Sequence, residues 1–271
     1  MSWWQDKDIP PGCEEALRNA RAKVNAGERL GFSIEPTIAA AQQRKSEAQQ
    51  AARYPRMPRR TAEIAPCGSA PVIDGNLSER LWQGISPLEP FVLLGKPDVA
   101  AKSQTTARAT YDGKAIYIAL RCEEPTQPNS EKLAPNDTAI FKGDVTEVFI
   151  NVPRSDSMFF QFAINSSGSF WAAHHLKDKP EPLTQPWEHA ARVEQDGWTA
   201  ELAIPWSILG ISGPPAQVAN TSAANMYTPR PPPPFRVNLA RERPEANEYS
   251  SWAPVAKSFL ETGNFGTWKF K

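Results

Sequence analysis

Residues 141–168, FKGDVTEVFINVPRSDSMFFQFAINSSG, decide the fold. They predict two strands, 145–152 and 158–165, because β-branched and aromatic residues alternate there between turn formers. Glu147 lies in the middle of the first strand, where a carboxylate is costly to bury without a partner. Glu147 therefore either lines a groove and meets a ligand or pairs with an arginine from a neighbouring strand.

The rest of the chain after residue 62 reads as further strands separated by turns. Asp112-Gly113 and Asp196-Gly197 are hairpin signals, and Ile116, Ile118 and Leu120 alternate as one buried face. Trp82 is predicted to fill the core. The additional strands are predicted at 105–111, 115–122, 170–176, 190–195, 198–204, 235–241 and 264–270. Strands at this spacing without βαβ alternation predict an all-β, antiparallel β-sandwich over residues 63–271.

Residues 1–62 differ from the remainder and are predicted to form an arm. Lys and Arg number 11 there and Asp and Glu 7, so the arm is positive and the body is equally negative. Segments 13–30 and 37–53 have helical composition, and 54–60 is a basic, proline-rich linker. The second helix has Ile38 as its only large aliphatic side chain, so it needs another surface to lie on.

Trp3 and Trp4 stand side by side near the start of the chain. Two interpretations are open for them. They are either a disordered tip or an anchor, because adjacent indoles suit a protein groove or a membrane interface.

Composition excludes several classes of protein. The formal net charge is zero, which gives no electrostatic basis for binding nucleic acid. The sequence contains no run of about 18 apolar residues, so no transmembrane span is predicted. The first residues contain no apolar segment typical of a signal peptide. Cys13, Cys67 and Cys122 form no metal or redox motif, so they are either one disulfide and a free thiol or, as we expect, three reduced and buried thiols.

Nothing in the sequence predicts catalysis. The motifs of zinc proteases, serine hydrolases and nucleotide-binding enzymes are missing. Asp144 and Glu147 are three residues apart on a strand and so face opposite sides of the sheet, which argues against a glycosidase acid pair. We therefore expect a non-catalytic protein.

Several short segments occur in an order that resembles one known family. They are VIDGNLSERLW, YDGKAIYIAL, GDVTEVFI, QFAINSSG, DGWTAELAIPWSILG, FRVNLAR, SSWAP and a final NFG. Together, from Pro71 to the end, they resemble carbohydrate-binding module family 9 within the wider DOMON-like sandwiches.

The resemblance implies a site that clamps the end of a sugar chain between two aromatic rings. The clamp positions fall on Phe141 and Phe259, and Glu147 is the strand glutamate that accepts sugar hydroxyls. Asn238 falls at the position of an amide. Phenylalanines replace the usual tryptophans, while Ala163 and Ala256 replace polar residues that read hydroxyl groups.

The resemblance also bears on cofactors and location. Family members can hold calcium, but no ligand set maps onto this sequence residue by residue, so the metal is left open. Some DOMON-like domains bind haem; His174, His175 and Met158 are the candidate axial ligands, and haem is not expected. The usual location of family members implies an extracytoplasmic protein, either periplasmic or secreted.

Two functions follow as hypotheses. The first is a carbohydrate-binding domain. The alternative is a structural accessory subunit of a larger extracytoplasmic complex, docked through residues 1–62 and peripheral to a membrane, with a degenerate sugar site. A haem or redox module is a distant third.

Overall fold

The computed structural model describes residues 55–152, 159–176, 179–214 and 234–271, together with Arg18 in a helix. Several predictions concern residues outside the described part of the chain. They are the helices at 13–30 (apart from Arg18) and 37–53, and the residues Trp3, Trp4, Cys13 and Met158. The chain divides into two compact units, Met1–Arg53 and Tyr54–Lys271. The second unit holds all the strands described below.

The described residues form fourteen strands. They are β1 (Thr61–Ile64), β2 (Val92–Leu93), β3 (Lys96–Ala100), β4 (Thr105–Tyr111), β5 (Ala115–Glu123), β6 (Val145–Asn151), β7 (Phe159–Asn165), β8 (Phe170–Leu176), β9 (Lys179–Pro182), β10 (Glu188–Glu194), β11 (Gly197–Pro205), β12 (Phe235–Arg243), β13 (Glu248–Ser251) and β14 (Gly266–Phe270). A helical turn, Arg80–Gln83, and 3-10 helices at Thr138–Lys142 and Thr262–Asn264 complete the described elements.

These strands build two facing sheets. Within the described residues the larger sheet has ten strands, in the order β3-β2-β13-β12-β6-β7-β8-β9, with β14 paired to β12 and β1 paired to β14. The smaller sheet has the order β10-β11-β5-β4. Pairing is antiparallel except between β1 and β14. The prediction of an all-β, antiparallel sandwich is confirmed.

Residue alternation along the strands places one apolar face of each sheet in the core. Val148 and Ile150 of β6 and Phe160 and Phe162 of β7 contribute from the larger sheet. The smaller sheet contributes the predicted stripe of Ile116, Ile118 and Leu120, all fully buried. The neighbouring residues on β6 and β7 consequently face outward from the sandwich, where the candidate site lies.

Trp82 is buried, as predicted, with 1% of its surface exposed, but it packs on the outer face of the smaller sheet and not in the core between the two sheets. Its Nε1 donates to Oε1 of Glu201 at 2.8 Å. Oε2 of Glu201 accepts the backbone N–H groups of Asp74 and Gly75. Burial raises the pKa of Glu201 despite these hydrogen bonds, so this carboxylate anchors the segment before the helical turn at a desolvation cost.

A buried ion network joins β12 to the loop after β5. Nη2 of Arg241 donates to Glu124 at 2.8 Å, and Arg243 donates to both oxygens of Glu124. Nη1 of Arg243 also donates to Glu248 at 2.9 Å. Burial opposes ionisation of Glu124, but the hydrogen bond and charge of Arg243 and the charge of Arg241 lower its pKa. These arginines lie on the opposite face of β12 from the candidate site.

The basic segment before β1 contacts the sandwich unit. Oδ1 of Asn264 accepts the N–H of Met57 at 3.1 Å, and Nδ2 donates to the carbonyl of Pro55. β1 then straddles the predicted boundary between residues 62 and 63. Its sequence, TAEI, has only four residues, which is too short for a reliable strand period, so its parallel pairing with β14 could not be predicted.

The described cysteines are free thiols. Cys122 is buried on β5, and Cys67 is only half-buried. Burial is the largest influence on both and raises the pKa of each thiol. The prediction of reduced thiols agrees with this arrangement, whereas full burial of Cys67 does not.

Candidate functional site

A pocket of about 370 Å³ opens on the outer face of the larger sheet. Two apolar clusters cover that face on either side of it. One includes Ile140, Ala163 and Trp171 with Phe141 packed against it, and the other includes Phe149, Phe259 and Phe265. The pocket is lined by Leu94, Phe141, Glu147, Phe149, Gln161, Trp171, Glu242, Tyr249, Lys257, Ser258, Phe259 and Leu260.

Phe141 lines the pocket from the 3-10 helix that precedes β6. The Asp137 side chain caps this helix by accepting the N–H of Ala139 at 2.9 Å. The ring of Phe141 is half-buried and meets Trp171 edge-to-face, with centroids 5.3 Å apart. Trp171 therefore holds the ring from behind and contributes a second aromatic surface to the pocket.

Phe259 lines the pocket from the loop between β13 and β14. The carboxylate of Glu261 organises this loop by accepting the backbone N–H groups of Ala256, Lys257 and Ser258 at 2.6–3.0 Å. Nδ2 of Asn264 donates to the same carboxylate at 2.7 Å. Three successive backbone amides held on one buried acid give this loop a defined shape.

Glu147 lies in the pocket with 2% of its surface exposed. Nε2 of Gln161, on the neighbouring strand β7, donates to its Oε2. Oε1 of Gln161 in turn bonds to Nε2 of His175 on β8 at 2.6 Å. Burial, and secondarily the charge of His174, lower the pKa of His175 to about 4, so this ring is neutral and donates its Nε2 proton to Gln161.

The other oxygen of Glu147, Oε1, is buried and receives no hydrogen-bond donor from the described residues. Glu147 is opposite Ala240 in the β6–β12 ladder, which makes Glu242 its diagonal neighbour on the same face. Both carboxyl groups therefore lie in the same pocket, where one buried acid beside another favours a proton on the pair. Burial first, and then the charge of Glu242, raise the pKa of Glu147, and burial raises that of Glu242.

The structure brings together three of the four residues predicted for the ligand site. Phe141, Glu147 and Phe259 line one pocket. Glu147 forms no ion pair with an arginine among the described residues, so the first alternative for this acid, a groove, describes its position.

Asn238 lies on the same sheet face but outside the pocket lining. It is fully buried, and its Oδ1 accepts the N–H groups of Leu239 and Ala253, each at 2.9 Å. The backbone at Ala253 covers the amide, which therefore supports a loop and does not reach the pocket. Strand alternation indicates the sheet face on which Asn238 lies, but the sequence does not show that a loop covers this face.

Gln161, Trp171, Glu242 and Tyr249 line the pocket and were not predicted. Their contribution depends on pairing between strands that are far apart in sequence. Alternation offered one signal: if Asn238 faces outward, Glu242 must do so as well. The same reasoning places Gln161 beside Glu147 once β6 and β7 are paired.

The candidate haem ligands are separated by the sheet. His175 stacks on Phe159 on the outer face, whereas His174 stacks on Phe160 on the core side. Met158 lies outside the described residues. For calcium, no group of three or more His, Cys, Asp or Glu side chains in the described ranges is arranged to hold a metal ion, so no metal ligands are assigned.

The sequence model of the family described as carbohydrate family 9 binding domain-like matches residues 73–227, more than half of the chain. The chain belongs to this family. No curated protein matches the chain.

Solved structures of carbohydrate-binding proteins share the fold. A candidate carbohydrate-binding protein from Bacteroides uniformis has a TM-score of 0.59 at 14% identity, covering 78% of this chain and 99% of its own. A family 9 carbohydrate-binding module from Caldicellulosiruptor kristjanssonii, in complex with cellotriose, has a TM-score of 0.51 at 14% identity, covering 78% and 94%. The glucose complex from the same organism has a TM-score of 0.50 at 13% identity, covering 78% and 96%.

None of the helices in the described part of the chain has the length and hydrophobicity needed to cross a membrane.

Proposed function

We propose that the sandwich is a non-catalytic recognition domain that binds the end of a sugar chain in the pocket between Phe141 and Phe259. The observation that carries the proposal is a buried carboxyl oxygen, Oε1 of Glu147, which has no hydrogen-bond partner among the described residues and lies inside a pocket lined by aromatic rings. A buried polar atom of this kind is costly unless a ligand supplies the partner. Family membership and the sugar complexes of the Caldicellulosiruptor module support the same ligand class.

The pocket has the chemical features that a sugar requires. Rings of Phe141, Trp171 and Phe259 offer apolar surfaces to the C–H groups of a pyranose. Glu147 offers an acceptor to hydroxyl groups, while Lys257 and Ser258 offer donors at the rim. The volume of about 370 Å³ falls within the ~300–1,000 Å³ typical of small-ligand pockets.

Recognition fits the acid pair better than hydrolysis does. Retaining glycosidases hold their two carboxyl groups about 5 Å apart so that the glycosidic bond lies between them. Glu147 and Glu242 instead project from adjacent strands on one face, and burial raises the pKa of both, so neither is the ionised nucleophile that a retaining glycosidase needs.

The experiment is calorimetric titration of the full chain with glucose, cellotriose and a panel of short glycans. We expect binding to at least one sugar, reduced about tenfold or more by Phe141→Ala and by Phe259→Ala. Val193→Ala is the control, because Val193 is exposed on β10 of the other sheet. Circular dichroism checks that each variant is folded. Absence of heat with every sugar, at concentrations up to the millimolar range, would overturn the proposal.

An accessory subunit docked through its arm remains the competing function, and an extracytoplasmic location belongs to both proposals. Deletion of residues 1–53 separates them, because the sandwich unit begins at Tyr54. Sugar recognition predicts unchanged glycan affinity in the shortened chain. Loss of a protein partner on deletion, from a chain that binds no sugar, would instead support the subunit.

A further inference from the structure

The two acids in the pocket, Glu147 and Glu242, carry an inference about the class of sugar, which rests on the proposed function. We infer that the site prefers a sugar with a free amino group over its neutral counterpart. The ammonium group would lie against both carboxyl groups and replace the proton that they share. Glucosamine is the simplest probe of this chemistry, and glucose is its neutral match.

The hydrogen-bonding inventory of the pocket favours an ammonium ligand. Oε2 of Glu147 is already used by Gln161, whose own oxygen is used by His175. Oε1 of Glu147 has no donor among the described residues, and Glu242 offers further acceptors beside it. A hydroxyl group donates one hydrogen, whereas an ammonium donates three and brings a positive charge to the acids.

Among the described residues, the charged groups around Glu147 and Glu242 do not place a cation against the two carboxyl groups. Lys257 is the one cationic residue among the described pocket lining, and its side chain is exposed at the rim. Tyr249 is opposite Glu242 on β13 and brings no positive charge. His175, behind Gln161, is neutral. Arg241 and Arg243 face the other side of β12 and are paired with Glu124 and Glu248.

Proton exchange gives the inference a specific signature. With one shared proton the pair has a charge of −1, and an incoming ammonium converts it to two carboxylates while one proton passes to solvent. Amine binding therefore strengthens as pH rises, until the amine itself loses its proton. Glucose has no charge to exchange for the proton and releases none.

The test titrates the full chain with glucosamine, glucose and N-acetylglucosamine at pH 5.5, 6.5 and 7.5. Each titration is repeated in two buffers of different ionisation enthalpy, which measures the protons released. We expect glucosamine to bind about tenfold more tightly than glucose at pH 7.5, because charge-assisted hydrogen bonds exceed neutral ones by that order. Release of up to one proton should accompany glucosamine alone.

Glu242→Gln should lower the ratio of glucosamine to glucose affinity towards one, with Val193→Ala as the control. Equal affinities for glucose and glucosamine in the wild-type chain would overturn the inference and leave the proposed function standing. Tighter glucosamine binding without proton release, or an unchanged ratio in folded Glu242→Gln, would also overturn it. Binding of none of the sugars would remove the proposed function as well. Proton release by the wild-type chain decides the matter if the variant does not fold.

Discussion

Glu147 on β6 and Glu242 on β12 are diagonal neighbours on the outer face of the larger sheet, and both line the pocket there. Two acids cannot both ionise at this separation without strong repulsion. The fold therefore keeps a proton on the pair at pH values where isolated glutamates have lost theirs. This relationship governs the pH dependence of stability as well as the ligand chemistry of the pocket.

The acid pair should destabilise the fold at alkaline pH. Both pKa values are raised in the folded state, so the folded chain binds more protons than the unfolded chain above about pH 4.5. Its contribution to stability is fully present below that pH and falls as pH rises through the folded pKa values. Glu242→Gln should therefore raise the free energy of unfolding at pH 8 by about 1 kcal/mol or more, the equivalent of one pKa unit.

Urea unfolding at pH 4.5, 6 and 8 measures this effect. The advantage of the variant should grow with pH and be small at pH 4.5. Glu188→Gln on β10 is the control, because Glu188 is an exposed strand residue on the other sheet. A variant that is less stable than wild type at pH 8 would contradict a destabilising effect of the acid pair.

The buried ion network should have the opposite pH dependence. The pKa of Glu124 is lowered in the fold, so its contribution is present above the unfolded pKa and is lost as pH falls through the folded value. Glu124→Gln leaves Arg241 without a buried anion and Arg243 with Glu248 alone, and breaking a buried ion pair typically costs about 3–5 kcal/mol. Guanidinium unfolding at pH 7 and pH 4 should show a large loss at pH 7 that is smaller at pH 4. Glu245→Gln, on an exposed turn, should be neutral at both.

Glu261 should control the shape of the binding loop without touching the ligand. Glu261→Ala removes the acceptor for the N–H groups of Ala256, Lys257 and Ser258. Hydrogen exchange at these amides should accelerate, and sugar affinity should fall about tenfold because the loop loses its preorganised form. Unchanged exchange in a folded variant would contradict this role. Exchange in β6 and β7, away from the loop, is the internal control.

Phe141→Trp should strengthen binding of sugars. An indole offers a larger stacking surface than a phenyl ring, and the position opens into a pocket with room at its rim. We expect a gain of about threefold to tenfold in affinity, measured by calorimetry with the same sugar as for the wild type. A loss of affinity together with a lower melting temperature would indicate instead that contact with Trp171 limits the size of this side chain.

The sequence was informative where strand-forming residues adjoin a turn signal. The predicted strands at 105–111 and 170–176 coincide with β4 and β8, because threonine and aromatic residues favour strands and a glycine-containing turn adjoins each segment. β9 (KPEP) and β13 (EYSS) were not predicted, because short polar strands owe their conformation to neighbouring strands.

The residues of the pocket also differ in whether the sequence could predict them. Glu147 could be singled out because an acid in an apolar strand is unusual, and the family resemblance added Phe141 and Phe259. Glu242 could not be paired with Glu147 before the β6–β12 ladder was known, because the two are far apart in the chain. The buried role of Asn238 depends on a loop backbone that covers it, which no local pattern encodes.

Parallel pairing of β1 with β14 gives the start of the sandwich a protective role. β14 is bonded to β12 on one side and to β1 on the other. A fragment beginning at residue 63 would lack half of β1 and would bare a row of unpaired backbone groups on β14, which is a template for self-association. Aggregation of such a fragment would lower its measured sugar binding. A shortened chain for binding studies therefore needs the residues from Tyr54 onward.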